Sequence, residues 1–220
     1  MEWKDDEELF ALIREHLFSS IIGDVLDLEG KNHQWLPAHC RPLLPHMVVV
    51  GRAMTVLEAD VFHLPTPPFG KMLEALDSLQ RHEVYIAAGC APRYALWGEL
   101  MSIAAKGRGA AGAVLAGYAR DINRIRSIDF PTFCYGSYGK DQRGRGQVID
   151  YRVPLEIEGV RVMPGDILMG DVDGVVVLPR EMEETVVSRA LDQARKEKTA
   201  RTMLLNGARA HDVFTETGVL

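Results

Sequence analysis

Residues 98–121, "GELMSIAAKGRGAAGAVLAGYARD", carry an acid, Glu99, at one end and the pair Arg120–Asp121 at the other. Between them lie mostly small or apolar residues. Glu99 to about Lys106 has the spacing of a helix, punctuated by Gly107 and Gly109, and "GAVLA" at 112–116 reads as a buried strand. Roughly eight or nine helical residues rise about 13 Å, and roughly four or five strand residues return about 15 Å. If the two run antiparallel, the helix start meets the strand end, and Glu99, Arg120 and Asp121 share one pocket. The backbone amides of Leu100 and Met101 would lack intrahelical acceptors at the positive end of the helix. They suit an anion, to which Arg120 can add a bidentate contact. Asp121 and Glu99 offer oxygen ligands for a hard, partly hydrated divalent cation. A surface ion pair beside a helix cap would leave the same pattern, so the spacing alone keeps both readings open.

Outward from this stretch the chain alternates helical and strand-like segments. Apolar residues at 9, 10, 12, 13, 17 and 18 predict a helix over 5–18, with acids at its start. "SSIIGDVLDLEG" predicts a second helix, capped by Ser19 or Ser20 and stopped at Gly30. "MVVVGRAMTVLEA" reads as one or two strands broken at Gly51. "KMLEALDSLQRH" reads as a helix and "EVYIAAG" as a short buried strand. After residue 121, strands at "FPTFCYG", "GQVIDYRVPLEI" and "VRVMPGDILMGDVDGVVVLP" are separated by turns at "EGV", "PGD" and "VDG". A helix returns from "REMEETVVSRALDQARKEKTARTML", followed by a short tail. No internal repeat, low-complexity segment or linker interrupts the 220 residues, which predicts one α/β domain over 1–220.

Hydrophobic residues at 47% and charged residues at 25% are ordinary globular values, which argues against a disordered chain. A net charge of -6 gives no support to nucleic-acid binding. Cys40, Cys90 and Cys134 form no CxxC pair, so a zinc knuckle or redox dithiol is not expected. Free thiols, an acidic N-terminus and no apolar run of about 18 residues predict a cytoplasmic protein that does not enter a membrane.

Several blocks, in consistent order over most of the chain, resemble the family containing 4-hydroxy-4-methyl-2-oxoglutarate aldolase and the regulator of ribonuclease activity A. They are "GDVLD" at 23–27, "VVVGRAMTV" at 48–56, "WGELMSIAAKGRGAAGAVLAGYARD" at 97–121, "FPTFCYG" at 130–136, "VPLEIEGVRVMPGDILMGDVDGVVVLP" at 153–179 and the terminal "GVL". The resemblance implies a compact α/β sandwich with a barrel-like β centre, assembled as a homotrimer or hexamer with sites between subunits. Within that family, an acid followed about twenty residues later by Arg-Asp marks the metal-dependent aldolases. It implies Mg²⁺ or Mn²⁺ held directly by Asp121, with Glu99 holding metal-bound water. Glu197 of the C-terminal helix is the candidate to complete the shell, through water, from a neighbouring subunit. Arg120, Gly98 and the amides of Leu100 and Met101 would hold the pyruvyl end of a small oxo-acid substrate. This chain departs from the pattern in "HEV" at 82–84, where Glu83 replaces an aspartate. It departs again in the substrate loop "GCAPRYALWG", which carries Cys90, Pro92, Arg93 and Tyr94 in place of small residues.

Aldol cleavage of a 4-hydroxy-2-oxo acid leaves a pyruvate enolate whose charge must be stabilised. A lysine Schiff base or a divalent metal can do this. Of Lys4, Lys31, Lys71, Lys106, Lys140, Lys196 and Lys198, none lies in a clearly buried strand, so the metal solution fits better. The same electron sink predicts oxaloacetate decarboxylation as a side activity. The alternatives are a non-catalytic protein-binding regulator and a lyase or isomerase acting on another hydroxy or oxo acid. Elsewhere, His63 reads as a packed histidine, Asp171 and Asp173 as a turn between strands, and Asp24 and Asp27 as structural. "KDQRGRG" at 140–146 reads as an exposed flexible loop, the alternative being a basic segment that attracts phosphate or RNA.

Overall fold

A computed structural model describes residues 3–220. The helices are α1 (Asp6–His16), α2 (Ser19–Leu28), α3 (Met72–Asp77), α4 (Glu99–Gly107), α5 (Ile122–Ile128), α6 (Glu183–Leu205) and α7 (Ala210–Thr217). The first strands are β1 (Arg41–Pro42), β2 (Val49–Asp60), β3 (Glu83–Ala88), β4 (Ala95–Trp97), β5 (Gly112–Leu115) and β6 (Tyr118–Ala119). The rest are β7 (Thr132–Cys134), β8 (Gly146–Tyr151), β9 (Leu155–Ile157), β10 (Val160–Val162), β11 (Ile167–Asp171) and β12 (Gly174–Leu178).

The main sheet runs β1-β7-β5-β3-β2-β11-β12, with β8 also pairing to β2. β2, β3, β5 and β7 are parallel to one another, as crossovers through helices require, whereas β11 and β12 form a hairpin. The far edges come back together. Leu36 donates to the Val175 carbonyl at 2.9 Å, and Arg41, on β1, donates to the Val172 carbonyl at 3.0 Å. The sheet is therefore a nearly closed, barrel-like centre, as the sequence resemblance implies.

Alternation along each strand sorts side chains into layers. Val49, Ala53, Val84, Ile86, Val114, Phe133, Val175 and Val177 fill the interior of the curled sheet. Met54, Val56, Tyr85, Ala87 and Leu115 face outward under α3, α4 and α5. Val50, Met169, Val176 and Leu178 face outward under α1, α2 and α6. On α1, Asp5 caps the helix by accepting from the Glu8 amide at 2.9 Å, and Leu9, Phe10 and Ile13 are fully buried. Each contributes roughly 2 kcal/mol of apolar burial. Arg52, near the base of β2, ties this layer down. It pairs with Asp6 of α1 and with Glu183 of α6, and its guanidinium lies 5.5 Å from the Phe10 ring centroid.

Several local expectations need correction. β2 runs unbroken through Gly51, because a side chain there would stand 2.2 Å from the His82 carbonyl oxygen; the glycine permits close approach rather than a break. Neither Ser19 nor Ser20 caps α2 in the usual way. The Asp171 carboxylate, 152 residues away, accepts from the Ser19 amide at 2.8 Å and the Ser19 hydroxyl at 2.7 Å. α3 is only six residues long. The polypeptide after it is captured by Arg152, which donates to the Ser78 carbonyl, and by Glu83, which accepts from the Gln80 amide. α5, α7 and the short β1, β4 and β6 carry too little periodicity to be read in advance. Among the described residues no helix is long and apolar enough to cross a membrane.

Candidate active site at the β4–α4 junction

Glu99 begins α4, which follows directly from β4 through Gly98. Arg120 and Asp121 follow directly from β6. β4 and β6 pair in parallel, Ala95 with Tyr118 and Trp97 with Ala119, so both strands deliver their ends to the same place. The Arg120 amide donates to the Trp97 carbonyl at 2.9 Å, closing the junction. The predicted meeting of helix start and strand end therefore occurs, but this small sheet, which the sequence reading lacked, is what fixes it.

The junction is stiffened from below. The buried Trp97 indole donates to the Ser102 hydroxyl at 2.7 Å, and that hydroxyl donates to the Gly98 carbonyl at 3.1 Å. Asp121 adopts left-handed backbone angles (φ 59, ψ 33) just before α5, a conformation aspartate tolerates better than most residues. This turn carries its carboxylate back over the start of α4. Its Oδ2 accepts a long contact from the Glu99 amide at 3.4 Å and lies 3.5 Å from Arg120 Nε. On the other side, Arg120 Nη1 lies 3.3 Å from Asp141 Oδ1. Asp141 was not singled out in the sequence, because its place beside Arg120 depends on how the 140–146 segment folds. Leu100 is largely exposed and Met101 half-buried. Both stand in the first turn of a nine-residue helix, where amides have no intrahelical acceptor.

Among the described residues there is no cluster of three or more His, Cys, Asp or Glu side chains able to cage a metal ion. The donors at the junction are hard carboxylate oxygens, partly open to solvent. Such a set suits a cation that keeps most of its water shell and is held by one or two carboxylates and its substrate, as Mg²⁺ commonly is. It does not suit a dedicated zinc site, which needs four closed ligands.

Other sequence candidates lie elsewhere. Glu197 sits on α6 in a groove with Leu12, His16 and Asp24, on the opposite layer from Asp121, and accepts from Gln193 at 3.1 Å. Within one chain it does not join the site. Asp24 and Asp27 are exposed on α2, and His63 is exposed in the loop after β2 rather than packed. Asp171 ends β11, and besides capping α2 it accepts from the Asp173 amide at 2.9 Å, so this pair does form the β11–β12 turn. Lys106 donates to the Ile128 carbonyl at 2.6 Å at the exposed end of α4. Glu83 is held by Arg152 through two contacts of 2.6 and 2.9 Å at the start of β3. The three thiols are free, and burial pushes those of Cys40 and Cys90 up to about 12, which suppresses thiolate chemistry at neutral pH.

One buried acid escaped the sequence reading. Glu58, on β2, is 1% exposed and accepts from the Gln142 amide group at 2.7 Å, while its other oxygen has no partner. Burial pushes its carboxyl up to about 8. The available signal was an acid inside the apolar run of β2.

Comparison with known proteins identifies the family and the fold. The sequence model of a family described as RraA-like, Aldolase/RraA, matches residues 19–177. The chain is 33% identical over 174 residues to a Halalkalibacterium halodurans protein provisionally named 4-hydroxy-4-methyl-2-oxoglutarate aldolase, covering 78% of this chain and 77% of that protein. It is 29% identical over 195 residues to Protein DlpA of Legionella pneumophila, covering 86% of this chain but only 31% of DlpA, so it spans about a third of that relative's length. Streptomyces coelicolor RraAS2, described as an unusual member of the RNase ES inhibitor RraA protein family, superimposes with a TM-score of 0.79 at 24% identity, covering 90% of this chain and 98% of RraAS2. That likeness concerns the fold.

Proposed function

The chain belongs to the RraA-like Aldolase/RraA family, and from that premise we propose that it is a divalent-metal-dependent aldolase acting on 4-hydroxy-2-oxo acids. The family also holds non-catalytic regulators. The observation that carries the enzymatic reading is the convergence of Glu99, Arg120 and Asp121 at the β4–α4 junction.

In the proposed reaction the C3–C4 bond of the substrate breaks, its electron pair passes to C3 as a pyruvate enolate, the 4-hydroxyl gives its proton to water and becomes a carbonyl, and a proton from water then adds at C3 to complete pyruvate. Arg120 and the amides of Leu100 and Met101 bind the substrate carboxylate and fix its orientation. Asp141 braces the Arg120 guanidinium from the far side. Gly98 leaves room for the Asp121 carboxylate beside the substrate. Asp121 would hold Mg²⁺ or Mn²⁺ directly, and Glu99 would hold it through water. When bound, the cation supplies Lewis-acid stabilisation of the enolate's negative charge. The same arrangement would serve decarboxylation of oxaloacetate, which leaves the same enolate. In a homotrimer or hexamer, Glu197 of one copy would reach the site of another.

The test is release of pyruvate from a panel of 4-hydroxy-2-oxo acids and from oxaloacetate, with Mg²⁺ or Mn²⁺, after chelation, and after the metal is restored. Turnover that vanishes with chelation and returns with metal is expected. No metal-dependent turnover of any of these acids would overturn the aldolase reading in favour of a protein-binding regulator.

A further inference from the structure

The segment 140–146 forms a turn tied to the core at Asp141 and Gln142, with Lys140, Arg143 and Arg145 exposed. Asp141 bridges to Ala95, and Gln142, 3% exposed, is anchored on Glu58. The Gln142 carbonyl accepts from the Arg145 and Gly146 amides at 2.8 and 2.9 Å, and Arg145 Nη1 donates to the Asp141 carbonyl at 3.0 Å. The turn walls a cavity of about 330 Å³ between the end of β2 and the loop before β4, lined by Asp60, Phe62, Arg93, Tyr94, Lys140 and Arg145, among others.

The charges in this cavity do not balance. The Asp60 carboxylate already accepts from the Tyr94 hydroxyl at 2.9 Å and from the Ala91 amide at 3.3 Å. The side chains of Arg93 and Lys140 have no hydrogen bond or ion pair among the described residues, and Arg145 donates only to backbone carbonyls. Three cations against one carboxylate leave a net charge of +2 among the lining groups, in a chain whose overall charge is -6. Burial favours the neutral form of Glu58, next to Gln142, and so reduces the negative charge beneath them.

The cavity lies beside the candidate active site along the chain. Lys140 directly precedes Asp141, which touches Arg120. β4 and Gly98 join the two places in the chain, which at about 3.3 Å per residue lie within roughly 13 Å of each other.

We propose that this cavity is an anion subsite that holds a distal anionic group of the substrate, with Arg93, Lys140 and Arg145 as its ligands. The substrate would be an elongated oxo acid, its near carboxylate on Arg120 and its far end, a phosphate monoester or a carboxylate-bearing tail, in the cavity. Arginine suits both chemistries because its planar fork matches carboxylate and phosphate oxygens. The substrate assignment rests on the aldolase reading above; the binding of an anion in the cavity does not.

Two measurements separate them. In the first, inorganic phosphate and malonate are titrated calorimetrically into the full chain, the double variant Arg93→Gln/Lys140→Gln, and Arg120→Gln, with far-UV circular dichroism confirming each fold. The expected result is binding weakened at least about tenfold in the double variant and by far less in Arg120→Gln. Tighter phosphate than malonate assigns the subsite to phosphate esters, and the reverse assigns it to carboxylates. Undiminished binding in the double variant, or no binding to the parent chain, overturns the subsite whether or not any oxo acid is turned over. In the second, the ratio of KM for an oxo acid with an anionic tail to KM for one with a methyl tail should rise about tenfold in the double variant. An unchanged ratio overturns the substrate assignment while leaving the aldolase reading intact.

Discussion

Asp121 Oδ2 stands 2.8 Å from the point where a β-carbon on Gly98 would project. Gly98 has extended backbone angles that any residue can adopt (φ -155), so only this contact excludes a side chain. Gly98→Ala should displace the carboxylate without straining the backbone. Pyruvate release is expected to fall about 10²-fold, the scale of a misplaced catalytic group, with little change in melting temperature. A variant retaining full activity would show that Asp121 need not sit over the start of α4.

Asp121 itself is best tested as Asp121→Asn. Asparagine tolerates the left-handed backbone, whereas alanine there would add strain of about 1–2 kcal/mol and confuse folding with chemistry. Loss of the charge is expected to reduce metal-dependent turnover by at least about 10²-fold, equivalent to a few kcal/mol of lost stabilisation. Steady-state rates over a Mg²⁺ titration, with melting temperature as the control, give the answer.

Glu58 predicts a pH dependence of stability. Its folded pKa of about 8 lies above the ordinary value of 4.5, because burial disfavours the carboxylate. The folded chain therefore holds a proton that the unfolded chain releases. This contribution is fully present below about pH 4.5 and is lost as pH rises toward 8, at up to about 1.4 kcal/mol per pH unit. Glu58→Gln keeps an acceptor for Gln142 and removes the titration. Thermal melts between pH 5 and 8 should show a flatter profile for the variant and higher relative stability at pH 8; parallel profiles would contradict it.

The Asp171 carboxylate satisfies the Ser19 amide and hydroxyl and the Asp173 amide at once. Asp171→Ala should cost about 2 kcal/mol, as expected for a lost cap with buried donors left unpaired. Urea denaturation measures this directly, and a shift under about 0.5 kcal/mol would mean that water replaces the carboxylate.

What the sequence disclosed depended on whether the determining contacts were local. The start of α4, the strand at 112–115 and the shared place of Glu99, Arg120 and Asp121 followed from periodicity and rise per residue. The small β4–β6 sheet did not, because strands of three and two residues leave no alternation to read. Asp171 capping Ser19 and Asp141 bracing Arg120 join residues 152 and 21 positions apart, and no local pattern records such pairs. Gly51 misled for a related reason: it breaks strands when exposed, but here it lets β2 approach the His82 carbonyl. The family resemblance supplied the barrel-like centre, which single-residue periodicity could not.

β2 pairs with β11 over its first half, with β8 over its second and with β3 across its middle. Its two ends do different work. Arg52 near the base clasps α1 and α6, while Glu58 and Asp60 at the top face the 140–146 turn and the loop before β4. The strand therefore separates a foundation from a workbench. Substitutions in the loops at the upper end leave untouched the contacts through which Arg52 holds the helices at the lower end.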